Sequence, residues 1–95
     1  MVDPLTPERL AEIRATLDLS QERMARLLGV SFASVNRWEG SHSFPMGATL
    51  DIYRALDAAL RGGHKPAKIL ASATADRGQF LLELFSLAYA GRRRS

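Results

Sequence analysis

The chain has 95 residues, of which 46% are apolar, enough for a single core. It contains no cysteine, which excludes disulfides, thiolate catalysis and cysteine-based zinc sites. Its net charge of +3 and pI of about 10.0 permit a nucleic-acid partner without requiring one.

In chain order, Thr6 is placed to cap a first helix with Pro7 at its first position and Glu8 facing the positive end of the helix dipole. Leu10, Ile13 and Leu17 supply its buried stripe. Asp18-Leu19 forms a connection, and Ser20 caps the next helix. The stretch from Ser20 to Gly40 then reads as two short helices joined by a tight turn at Gly29. Met24, Ala25 and Leu28 share one face of the first, and Val35 and Trp38 form the matching stripe on the second. Gly29 stands where the chain must reverse, a place that favours a residue free to take the left-handed conformation. Val30 turns inward, Ser31 caps the second helix, and Phe32, Ala33, Ser34, Asn36 and Arg37 remain outward.

After Gly40, the run Ser41-His42-Ser43-Phe44-Pro45 is a loop by composition. A fourth helix is expected from about Met46 to Leu60, with Leu50, Ile52, Tyr53, Leu56 and Leu60 available for burial. Gly62-Gly63-His64-Lys65-Pro66 ends it and is the candidate hinge, dividing a domain over 1–61 from a C-terminal extension over 67–95. Pro66 to Ala73 suggests a short helical turn, and Thr74 a cap for a last helix running to about Ala90, ahead of the basic tail Arg92-Arg93-Arg94. That last helix is apolar over much of its circumference, so a second face must be covered. Phe80, Leu81, Leu84, Phe85 and Ala88 are therefore candidates for dimerisation, with a second copy of the same helix as the simplest partner.

The segment Ser20 to Gly40 resembles the helix-turn-helix of the Xre/Cro-type phage-repressor family, on Ala25, Gly29, Val35 and Trp38 in the required positions. The likeness extends from about Leu5 to about Leu60. It implies an all-α, lambda-repressor-like fold of four helices, here followed by a C-terminal helix. It also implies a sequence-specific regulator of transcription binding double-stranded DNA as a homodimer on a palindromic site, most simply a repressor. By the same resemblance Ser31, Phe32, Ala33, Asn36 and Arg37 read bases, Gln21 anchors the phosphate backbone, and Ser41 and Ser43 touch phosphate on the other side. Arg14 and Glu39 match a buried structural ion pair that orients the reading helix. Phe32 and Ala33 make the reading set less polar than is usual in the family, and the His42-Ser43-Phe44 loop lacks its customary lysines and arginines.

Two other assignments remain open. An antitoxin that represses its own operon would use the last helix to meet a toxin instead of itself. A protein-interaction module would keep the helix-turn-helix core without binding DNA. Nothing points to an enzyme, a cofactor or a metal: His42 and His64 stand alone, the acidic residues have no nucleophile or histidine beside them, and no glycine-rich phosphate loop occurs. No apolar run approaches the ~20 residues of a membrane span and no basic-then-apolar leader opens the chain, so a soluble cytoplasmic protein with no membrane partner is expected.

Overall fold

A computed structural model describes residues 5–90, and all regular structure among them is helical. Six helices follow one another: α1 Pro7–Thr16, α2 Gln21–Leu28, α3 Phe32–Glu39, α4 Gly47–Arg61, α5 Pro66–Ile69 and α6 Arg77–Tyr89. The chain forms two compact units, Met1–Leu50 and Asp51–Ser95, and the division falls within α4.

In the first unit the local chemistry of helix ends sets the elements. The Thr6 hydroxyl accepts from the Arg9 amide at 3.1 Å with Pro7 at the first helical turn, and Ser20 accepts from the Arg23 amide at 3.1 Å. Ser31 caps α3 by accepting from the Ser34 amide at 3.2 Å. Each of these oxygens satisfies an amide that the helix itself leaves without a partner. Gly29 closes α2 in the left-handed conformation, φ 77°, and the Val30 amide bonds back to the Ala25 carbonyl at 2.9 Å. A side chain at that φ would cost about 1–2 kcal/mol.

Two further helices end the same way without glycine. Asp18 (φ 59°) follows α1 and Ser41 (φ 67°) follows α3. The next amides reach back five residues, Leu19 to Arg14 at 3.2 Å and His42 to Arg37 at 2.9 Å. These caps stop α1 and α3 sharply.

Leu10, Ile13, Met24 and Val35 have no exposed surface, and Leu17, Ala25 and Leu28 retain 3% each, as their spacing predicts. Both α1 and α2 pack on α3. Trp38 is only half-buried, so Val35 is the deeper anchor of the α3 stripe.

In the second unit Ile52, Tyr53, Ala55, Leu56 and Ala59 of α4, Ile69 of α5, and Phe80 and Leu84 of α6 are buried, and α5 packs on α6. Asp57 is buried with its carboxylate held by Arg61 Nε at 3.0 and 3.1 Å, one helical turn on. Gly63 (φ 90°) ends α4 through the His64 amide, bonded to the Ala59 carbonyl at 3.1 Å.

The last helix starts later than expected. Its cap is Asp76, whose Oδ1 accepts from the Gln79 amide at 3.1 Å, and not Thr74. The reason is the turn over Ser72–Asp76, where the Ala75 and Asp76 amides both bond to the Ser72 carbonyl and hold Thr74 outside the helix. Pro66–Ile69 is a single helical turn, shorter than the expected 66–73. The basic tail lies outside the described residues.

Candidate nucleic-acid interface

Eight residues of α3 separate into an inward and an outward side. Val35 is fully buried, whereas Phe32, Ala33, Asn36 and Arg37 are exposed, as is the capping Ser31. Phe32 keeps half of its surface, 50%, in solvent, the direction that the Ser31 cap imposes. The Ser31 and Ser34 hydroxyls lie 3.0 Å apart, so the Ser31 oxygen serves the helix end as well as the surface. Arg37 makes no side-chain contact with charged or polar groups among the described residues, and its donors are available to a ligand. Ser41 and Ser43 are exposed in the loop that follows.

Behind this face lies a polar network joining α1, α2 and α3. Arg14 Nε donates to Glu39 Oε2 at 2.8 Å and Arg14 Nη2 to Glu39 Oε1 at 3.0 Å, a two-pronged pair. Arg14 Nη1 donates to the Leu19 carbonyl at 2.9 Å. The Glu39 side chain is 6% exposed and that of Arg14 23%, so removing either partner strands a largely desolvated charge. The pairing expected of Arg14 and Glu39 is therefore present, and it ties α1 to the end of α3.

Gln21 enters the same network. Its Nε2 donates to Glu39 Oε1 at 3.0 Å, and its Oε1 accepts from Asn36 Nδ2 at 3.2 Å. Both ends of the Gln21 amide are thus engaged by α3, which leaves one Nε2 proton for any phosphate. Neither bond was legible in the sequence, because each depends on how α2 crosses α3. Sequence reasoning also passed over Arg23 and Arg26, which are exposed on α2. Their signal was available: they are the only cations on the helix that lies across the backbone in a helix-turn-helix.

The expected dimerisation set divides. Phe80 and Leu84 have no exposed surface and are part of the chain's own interior. Leu81, Phe85 and Ala88 are half-buried, and Leu82, outside the expected set, is 70% exposed. The division is one of helical phase: positions 80 and 84 share the inward face, and 82 lies opposite.

Residues 10–42 match the family model described as helix-turn-helix, about a third of the chain. No curated protein and no solved structure matches the chain. The matched segment runs from Leu10 in α1 to the residue after the left-handed cap of α3, the part of the chain that holds the network and the outward face. Sequence match and geometry together define an all-α helix-turn-helix fold, and they support a DNA-binding regulator in general. No described helix is long and apolar enough to cross a membrane.

Proposed function

We propose that this chain is a sequence-specific DNA-binding regulator of transcription, a repressor that occupies a palindromic operator as a homodimer. The observation that carries the reading is the two-sidedness of α3: Val35 is fully buried while Phe32, Asn36 and Arg37 face solvent. A helix so anchored fits the major groove, where base edges present distinct donor and acceptor patterns. Arg37 donates to guanine O6 and N7, and Phe32 and Ala33 meet a thymine methyl. Arg23 and Arg26 on α2, with Ser41 and Ser43 beyond α3, contact phosphate.

Residues 1–61 serve as the DNA-binding domain, 62–66 as a hinge and 67–95 as the extension. Two copies join through Leu81, Leu82, Phe85 and Ala88 of α6. Half-sites then lie about 34 Å apart, one turn of duplex. Occupancy of the operator excludes polymerase, and no bond is made or broken.

Selection of bound duplexes from a random pool, followed by a salt titration, tests this. The expected result is an enriched inverted repeat, with log K falling linearly against log salt. No enrichment and a flat salt response would end the proposal.

A second reading is favoured by a specific observation. Residues 1–50 carry five arginines and no lysine against six carboxylates, and Phe32, Phe44 and Met46 expose 50%, 40% and 79% of their surface. Such a surface suits a protein partner, and an autoregulating antitoxin would combine this with DNA binding by presenting α6 to a toxin. Capture of a protein partner through α6, with the salt response retained, would identify that case.

A further inference from the structure

The polar network fixes more than the angle of α3. Arginine can only donate hydrogen bonds and a carboxylate can only accept them. Glu39, held by two Arg14 nitrogens at 2.8 and 3.0 Å, therefore requires a donor from Gln21, and the Gln21 amide must turn Nε2 toward it, as it does at 3.0 Å. That leaves the Gln21 oxygen facing Asn36, and an oxygen accepts, so Asn36 must present Nδ2, as it does at 3.2 Å. The polarity of each amide follows from its neighbour and ultimately from the charge of Arg14, whichever way an isolated amide would turn. At the exposed end of this chain of bonds the Asn36 carbonyl oxygen has no hydrogen-bond partner among the described residues.

We infer that Gln21 is a positioning residue that locks Asn36 with its carbonyl outward, so that Asn36 selects a base carrying an exocyclic amine, adenine or cytosine. The inference rests on α3 being the DNA-reading helix. In the major groove adenine offers N6–H and cytosine N4–H as donors, whereas guanine O6 and N7 and thymine O4 only accept. An oxygen held outward bonds the first two, whereas on the others it meets only acceptors and leaves Asn36 nothing but its second Nδ2 proton to offer. An asparagine free to turn over would present its amine and discriminate less. Specificity at this position is thus set partly by a residue on α2, one that never has to touch the base.

The test uses the full chain, Asn36→Ala and Gln21→Met, the last keeping the length of the side chain while removing its hydrogen bonds. Each selects duplexes from the same random pool. The base pair whose preference vanishes in Asn36→Ala marks the position read. At that position the unaltered chain is expected to favour adenine or cytosine by about five- to tenfold, the worth of one hydrogen bond. Gln21→Met is expected to flatten that preference and leave the other positions unchanged. An unchanged preference there in Gln21→Met, uniform weakening on all sequences, or an original preference for guanine or thymine would each overturn the inference.

Side-chain amide NMR of the free protein supplies an arm independent of DNA. The Asn36 NH2 signals should shift in Gln21→Met, and unchanged signals would refute the lock. Shifted signals with no duplex enriched by the unaltered chain would instead overturn the DNA-reading function, and the base selection with it.

Discussion

The two halves of this molecule spend their charges differently. Residues 1–50 hold five basic and six acidic residues, and residues 51–95 hold eight basic and four acidic. The first half is thus net negative although it carries the helix-turn-helix, and the positive excess of the chain lies wholly in the second. Two of the first half's charges, Arg14 and Glu39, are drawn inward to brace α3, and Arg9 lies 3.3 Å from Glu12. In the second half Lys65 and Lys68 stay in solvent beside a buried set built from Tyr53, Ile69, Phe80 and Leu84. Phosphate neutralisation supplies most of the affinity for DNA, whereas base contacts supply selection. On the proposed function, the first half both chooses the site through α3 and meets phosphate through Arg23 and Arg26 of α2, despite its net negative charge.

The largest effects test whether each half depends on the element named for it. Glu39→Ala should destabilise the chain by about 3–5 kcal/mol, since Arg14 is left desolvated without its carboxylate and Gln21 loses its acceptor. Phe80→Ala should cost about 3–5 kcal/mol by opening a cavity where no surface was exposed. Leu82→Ala, two residues along α6 and 70% exposed in the single chain, should stay within about 0.5 kcal/mol at protein concentrations low enough to keep the chain monomeric. Urea denaturation followed by circular dichroism measures all three. Equal losses at Phe80 and Leu82 would mean that α6 faces the other way.

The division of labour is sharpened by a pair of binding measurements. Arg37→Ala should weaken specific binding by about 1–3 kcal/mol and relax preference at one base pair. Arg23→Gln combined with Arg26→Gln should leave the preferred sequence intact and reduce the slope of log K against log salt, by about 0.9 for each phosphate no longer neutralised. If that double variant altered the preferred sequence while the slope stayed fixed, selection and attraction would not be separated between α3 and α2.

Much of the first half was legible because its signals are local. Thr6, Ser20 and Ser31 cap the helices they precede, and Gly29 takes the left-handed turn, each decided by chemistry within three or four residues. The Gln21 to Asn36 bond spans fifteen residues and needed the crossing of two helices. In the second half the cap moved from Thr74 to Asp76 because the preceding turn, not cap preference, set where α6 begins; both residue types suit an N-cap. The apolar excess of α6 was plain, but its phase was not, and phase decides that Phe80 and Leu84 go inside. Ser41 carried no warning of its left-handed φ of 67°. Replacing it by glycine should relieve about 1–2 kcal/mol of strain against about 0.5–1 kcal/mol of added chain entropy, a small net gain in melting temperature.

The smallest expected effect contrasts two carboxylates, one from each half. Glu39 is paired with a cation, whereas Glu83 is held by neutral donors: Gln79 Nε2 to Oε2 and Ser72 Oγ to Oε1, both at 2.9 Å. The Gln79 bond and then the Ser72 bond favour the charged form and hold the Glu83 carboxyl below its ordinary value of 4.5, against a lesser opposing effect of burial. A depressed carboxyl stabilises the fold fully above its unfolded value and loses that contribution as pH falls through the folded one. The melting temperature of Glu83→Gln should therefore lie slightly below that of the unaltered chain at neutral pH, with the gap closing below pH 4.5. A gap that persisted unchanged in acid would assign the difference to side-chain packing, and the link from Ser72 through Glu83 to Gln79 would then owe nothing to charge.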